Sequence, residues 1–108
     1  MANRLDDYLK RKNLKLRGIA EMVEHEELPH FVRRLMATIL LQQQVKSLLF
    51  ESCHRLHTSK KTPAGVPRDV LIRFSSFRDK KLVMETLQTH SPLQFETSSL
   101  TALQDLCQ

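Results

Sequence analysis

The apolar residues between Leu28 and Leu40 are spaced as on one face of an α-helix, at intervals of three and four positions. They are Leu28, Phe31, Val32, Leu35, Met36, Ile39 and Leu40. Pro29 lacks an amide hydrogen and is tolerated only in the first turn of a helix. The helix is therefore predicted to begin near Glu26 or Glu27, where acidic residues interact favourably with the helix dipole. The rest of the chain must fold so that this apolar face is covered.

Two segments with a different apolar period are predicted to form strands. Over Asn13–Ile19, leucines alternate with basic residues, which indicates a half-buried first strand. Over Arg68–Ser75, alternation places Val70, Ile72 and Phe74 on one face. The opposite face carries Asp69, Leu71 and Arg73. This pattern is typical of a strand covered on one side only, and we place it in the centre of the sheet.

The segment Leu48–Leu56 is predicted to be a further strand with an irregularity. Phe50 and Cys53 are three positions apart, so they face the same side only across a β-bulge. Gln42–Gln44 are expected to lead from the first helix towards this strand. Thr58–Pro67 combines lysines with Pro and Gly, which predicts a basic loop after it.

The last third of the chain is predicted to contain a helix and a hairpin. Ser76 followed by Asp79 resembles a capping box, and Ser91–Pro92 should end the helix that it starts. The inward side chains of this helix are expected to be Val83, Met84 and Leu87. Leu93–Leu103 is predicted to be a closing hairpin with its turn near Ser98–Ser99.

The predicted order is strand, helix, strand, strand, helix, strand. This order predicts an α+β fold, a ferredoxin-like βαββαβ sandwich in which two helices cover one face of a four-stranded antiparallel sheet. The single domain is expected to span residues 13–108, because the chain has 108 residues and enough apolar content for one core. Residues 1–12, with Leu5 and Leu9 four apart, are interpreted as the end of a longer helix and a basic linker.

The overall charge favours a polyanionic partner. Lys and Arg number 17 against 12 Asp and Glu, and the net charge is +5. The alternative interpretation of this charge is a basic surface that is exposed to solvent and has no polyanionic partner. The amino terminus does not resemble a signal sequence, and no apolar run approaches the length of a membrane span, so the protein is expected in a reducing cellular interior without a membrane partner.

Catalysis, cofactors and metal binding are not expected from this sequence. There are only two glycines, and neither a Gly-x-Ser-x-Gly motif nor a phosphate-cradling Gly-rich loop is present. Cys53, His54 and His57 lie close together, but their spacing fits no usual zinc pattern, and Cys107 is distant.

Basic residues are concentrated where the first strand begins and along the predicted sheet. Five cations fall within eight positions, and others come from the second strand, the basic loop and the central strand. The candidate RNA-contacting residues are Lys10, Arg11, Lys12, Lys15, Arg17, Arg55, Lys60, Lys61, Arg68 and Arg73. Lys and Arg side chains bind phosphates through their charge. The alternative interpretation is that these cations are only exposed to solvent and bind nothing.

Base stacking on the sheet is not expected to dominate the binding. RNA-recognition motifs stack bases on aromatic residues of their first and third strands. The outward positions of these strands here are Lys15, Asp69 and Leu71, and Phe74 shares the apolar face of its strand. The predicted binding is therefore electrostatic and weakly selective for sequence.

Several segments together resemble the RNA-binding protein encoded by the first reading frame of LINE retrotransposons. They are Asn-Leu-x-Leu-x-Gly-Ile at 13–19, His-Arg-Leu at 54–56 and Pro-Arg-Asp-Val-Leu-Ile-Arg-Phe at 67–74. They occur in the order and spacing of that family, and the similarity extends from about Leu5 to Leu106.

The resemblance implies the RNA-recognition-motif-like central domain of a nucleic-acid chaperone that packages its RNA in cytoplasmic ribonucleoprotein particles, with a nuclear location as a further expectation. It implies that the partner is single-stranded RNA, with DNA as an alternative. It also implies that the full-length protein forms a trimer through an upstream coiled coil, whereas this segment alone is expected to be a monomer. Carried over by position, Lys10 and Arg11 match the end of that coiled coil, and Arg17, Arg55, Arg68 and Arg73 match the strands. The alternative is a protein-interaction module, which a host gene derived from a retrotransposon could also encode.

Overall fold

A computed structural model describes residues 11–56, 65 and 67–104 of the chain. The elements are β1 (Asn13–Arg17), α1 (Leu28–Ile39), α2 (Gln42–Ser47), β2 (Phe50–Arg55), β3 (Val70–Phe74), α3 (Phe77–Thr89), β4 (Leu93–Phe95) and β5 (Ser98–Gln104). The predicted α+β class and the predicted order of the principal elements are confirmed. The predicted coiled-coil end and much of the basic loop lie outside the described residues.

The sheet has five antiparallel strands in the order β2-β3-β1-β5-β4, so the prediction of four strands is wrong. The additional strand arises because both arms of the closing hairpin are extended, with Leu93 opposite Leu100. The turn lies at Glu96–Thr97, earlier than predicted, and Glu96 adopts a positive φ of 55°. The central position of β3, between β2 and β1, is confirmed. The topology is compatible with a ferredoxin-like fold.

Helix α1 begins close to the predicted position. A 3-10 turn over His25–Glu27 precedes it, and Pro29 lies in its first turn. The prediction that Gln42–Gln44 only lead out of α1 is wrong, because these residues begin α2. The side chain of Gln44 stabilises that start, since its Oε1 accepts a hydrogen bond from the Leu41 amide at 3.0 Å.

Strand β2 contains a bulge, the condition under which Phe50 and Cys53 face the same side, and it decides which way the side chains of that strand point. The register against β3 shifts between Phe50 and Ser52. After the shift Cys53 lies opposite Ile72 and is buried, whereas the next residue, His54, lies opposite Leu71 and is exposed.

The start of α3 uses half of the predicted capping box. Ser76 Oγ accepts a hydrogen bond from the Asp79 amide at 3.1 Å, as expected for a helix N-cap. The Asp79 carboxylate does not complete the reciprocal bond, because its Oδ2 instead accepts from the Leu49 amide at 3.4 Å. The helix start is thereby joined to the segment that enters β2.

One hydrophobic core joins α1 and α3 to a single face of the sheet. The sheet contributes alternating side chains such as Leu14, Leu16, Ile72 and Leu100, each at most 1% exposed. The helices contribute Leu28, Phe31, Val32, Leu35, Met36, Val83, Met84 and Leu87. Burial of these side chains is the main stabilising contribution to the fold. Among the described residues, no helix is long and apolar enough to cross a membrane.

Candidate nucleic-acid interface

The face of the sheet opposite the core is covered by no helix that the structure describes. Because side chains alternate along each strand, the neighbours of the buried core residues point to this side. We call it the open sheet face and define it by Asn13, Lys15, Arg17, Ser52, His54, Asp69, Leu71, Arg73, Ser99, Thr101 and Leu103.

Strand register brings side chains from four strands into one row across this face. Leu71 lies opposite both His54 and Lys15, and Lys15 in turn lies opposite Leu103. Directly opposed residues of antiparallel strands have Cβ atoms about 5 Å apart, so members of the row are within contact distance of one another. Lys15 and the two leucines are half-buried, and His54 is exposed.

Arg73 lies in the adjacent row of the open sheet face. Its Cα pairs with that of Asn13, and its Nε donates to Asn13 Oδ1 at 3.1 Å. Asn13 is 3% exposed, so this hydrogen bond anchors the guanidinium at a fixed point of the sheet. Arg73 and Lys15 are diagonal neighbours in the ladder and can contact consecutive groups of one polyanion.

Arg17 belongs to the same face but is paired there with an acid. Its Nε donates to Asp69 Oδ1 at 3.0 Å and its side chain is 45% exposed. The hydrogen bond that Arg17 donates to Asp69, followed by the attraction of that carboxylate charge, raises the pKa of Arg17. The Arg17–Asp69 pair therefore adds little net charge to the face.

Arg55 is placed differently from the sequence-based expectation. It lies opposite Val70 and therefore points to the core side of the sheet, with a side chain only 8% exposed. Its guanidinium donates to the carbonyl oxygens of Ile19, Ala20, Val23 and Arg68. Burial lowers the pKa of Arg55. We assign this side chain to the stability of the fold and not to the interface.

Arg68 is held at the rim of the sheet by Glu21. Its Nε donates to Glu21 Oε1 at 3.2 Å, and its backbone amide donates to the same oxygen at 2.9 Å. The hydrogen bond from the Arg68 side chain is the largest cause that lowers the pKa of Glu21. Arg55 adds a contact, because its Nε lies 3.5 Å from Glu21 Oε2. Arg68 is thus half-exposed and paired with Glu21, a carboxylate that it shares with Arg55.

The other predicted cations precede β1 or fall on undescribed segments. Arg11 is exposed and Lys12 is half-buried just before the strand, and the Lys12 carbonyl accepts from the Phe74 amide at 2.9 Å. Lys10, Lys60 and Lys61 lie outside the described residues. The structure therefore brings Lys15, Arg17 and Arg73 onto one face. Arg11 lies two residues before the start of β1.

His54 is a member of the open sheet face that the sequence pattern does not assign to RNA binding. The bulge in β2 obscures its orientation in the sequence pattern, and the spacing of Cys53, His54 and His57 fits no usual zinc pattern. Within the described residues, no group of three or more His, Cys, Asp or Glu side chains is arranged to hold a metal ion. The signal that identifies His54 is its register position opposite Leu71.

Comparison with models of protein families and with curated proteins finds no match for this chain. The geometry of the open sheet face and the resemblance of the sequence segments are therefore the two indications of function.

Proposed function

We propose that this chain binds single-stranded RNA through the open sheet face, with phosphate contacts that tolerate any sequence. The supporting observation is that Lys15 and Arg73 are diagonal neighbours on a sheet face that no described helix covers. Cations that neutralise phosphates release condensed counterions, which provides affinity without reading bases. Arg11 and the Arg17–Asp69 pair extend the polar surface along β1.

The biological role follows from the resemblance to LINE first-reading-frame proteins. In this proposal the chain is the central, non-enzymatic domain of an RNA-packaging and nucleic-acid chaperone protein. Lys10 from the amino-terminal segment and Lys60 and Lys61 from the basic loop would add contacts, and DNA would be an alternative partner. An upstream coiled coil would make the full-length protein a trimer in cytoplasmic particles. Many weak, salt-sensitive contacts suit a chaperone, because the bound strand can then rearrange.

The proposal is tested by reversing charge on the open sheet face. The variant Lys15→Glu with Arg73→Glu should bind single-stranded RNA at least about tenfold more weakly at about 50 mM salt. The plot of log affinity against log salt should become shallower by about 0.7 for each phosphate that is no longer neutralised. Fluorescence anisotropy with a labelled oligonucleotide measures both quantities.

The matched control reverses two exposed cations of the helices, Arg33→Glu with Lys81→Glu, which changes the net charge by the same amount. Thermal unfolding of each variant establishes that it is folded. An equal loss of affinity in both double variants would contradict the proposal, because binding would then follow total charge rather than this face.

A protein-interaction module is the second candidate. Leu71 and Leu103 are both half-buried on the open sheet face, one on each side of Lys15, and could pack against a partner protein. RNA binding that is absent even at about 50 mM salt would favour this function over the first.

A further inference from the structure

His54 lies at one end of the row that crosses the open sheet face. It is exposed, and its Cα pairs with that of Leu71, whose own neighbours Val70 and Ile72 are fully buried on the other side. His54 must therefore present its ring on the same side as Lys15. None of the other residues that define this face carries an aromatic ring.

A cleft begins beside His54 at the rim of the sheet. Its volume is about 460 Å³, within the range of small-ligand sites, and His54 is one of its lining residues. The rest of its lining is Val23, Glu24 and His25 from the segment before α1, together with Glu21, Arg55 and Arg68. A flat group resting on His54 would therefore lie near the apolar side chain of Val23 and near Glu24 and His25. The Arg55 guanidinium, in contrast, is already bonded to backbone carbonyls.

We infer that His54 is the stacking platform for one base of the bound single strand, with the edge of that base in the adjacent cleft. This inference rests on the proposed function, and it adds a base contact to the phosphate contacts. A histidine ring can stack on any base, so the contact raises affinity without strong sequence selectivity. Leu71 provides an apolar surface beside the ring, and Lys15 lies one strand further on for a neighbouring phosphate.

The test compares His54→Ala and His54→Phe with the wild-type protein. His54→Ala should lower the affinity for an RNA oligonucleotide by about fivefold or more, because one base is no longer stacked. His54→Phe should retain or exceed the wild-type affinity, since Phe keeps a flat ring but has neither a charge nor a hydrogen-bonding group. His30→Ala on α1 is the matched control and should leave the affinity unchanged, because His30 is exposed on a helix.

Two further readouts separate stacking from a phosphate contact. The salt dependence of His54→Ala should have the same slope as that of the wild type, in contrast to the charge-reversal variant. An oligomer with the same phosphates but abasic sugars should bind His54→Ala and the wild type equally well.

Each outcome has one interpretation. RNA binding by the wild type that is unchanged in His54→Ala would overturn this inference and leave the proposed function standing. A loss of affinity in His54→Phe as large as in His54→Ala would also overturn it, because a ring would then not suffice. Absence of RNA binding by the wild type would overturn the proposed function itself.

Discussion

At the scale of single residues, two arginines of neighbouring strands have different roles. Arg73 lies on the open sheet face and is anchored by Asn13, whereas Arg55 points to the core side and binds backbone carbonyls. Alternation along β1 and β3 is sufficient to place Lys15 and Arg73 outward. It cannot place Arg55, because the bulge in β2 resets the side-chain parity and the carbonyls that it binds include those of a distant loop.

The role of Arg55 leads to a prediction about stability. Its guanidinium satisfies four backbone carbonyl oxygens, which lose a charged donor when the side chain is truncated. Arg55→Ala should therefore lower the free energy of unfolding by about 2 to 4 kcal/mol. Arg55→Lys should recover only part of this, because an ammonium group lacks the planar fork of donors. Urea denaturation monitored by circular dichroism measures both.

The control for Arg55 is Arg34→Ala, which removes an exposed arginine paired with Glu96. Its free energy of unfolding should stay near that of the wild type, since exposed ion pairs contribute little. A value for Arg55→Ala equal to that of Arg34→Ala would contradict the structural role of Arg55.

Gly18 is a second residue whose identity the fold requires. Its φ is +111°, and a Cβ added there would lie 1.9 Å from the backbone oxygen of Ser99. Gly18→Ala should therefore destabilise the protein by more than about 4 kcal/mol or prevent folding. Gly65→Ala is the comparison, because φ is also positive but no described atom lies within 4 Å of the added Cβ. A similar melting temperature for both variants would contradict this requirement.

At the scale of elements, the loop between β1 and α1 is attached to the start of β3 by Glu21. Its carboxylate accepts from the side chain and the amide of Arg68, and these bonds lower the pKa of Glu21 in the folded state. A lowered folded-state pKa means that the contribution to stability is complete above the unfolded value of about 4.3 and disappears as the pH falls through the folded value.

We therefore predict that the difference in free energy of unfolding between the wild type and Glu21→Gln is constant from about pH 7 to about pH 5. It should shrink as the pH falls below about 4.3, and its size should be less than about 1 kcal/mol because Glu21 is 47% exposed. Urea titrations at a series of pH values measure it. A difference that grows towards low pH would contradict the assignment.

The elements that are hardest to predict from the sequence are short and depend on local hydrogen bonds. Helix α2 has six residues and no buried side chain, so its sequence has no apolar periodicity from which the helix could be predicted. The hairpin of β4 and β5 is predicted from the sequence, but the position of its turn is not, because Glu96 takes a positive φ that the residue type does not suggest. In contrast, α1, β1 and β3 carry clear apolar periods, and their predictions are confirmed.

At the scale of the whole molecule, the two faces of the sheet have different functions in our proposal. One face supplies the core with α1 and α3, and its residues are predictable because burial imposes a regular apolar pattern. The open sheet face has no such constraint. Its cations, two leucines and one histidine become a site only when strand register brings the side chains together.

The central claim is that this face, and not the helical side, binds RNA. Titration of the isotopically labelled protein with a single-stranded RNA oligonucleotide, followed by amide chemical shifts, tests it most directly. We predict that the largest changes occur at Lys15, His54, Leu71 and Arg73, with small changes along α1 and α3. Changes concentrated on the two helices, or no changes at about 50 mM salt, would contradict the claim.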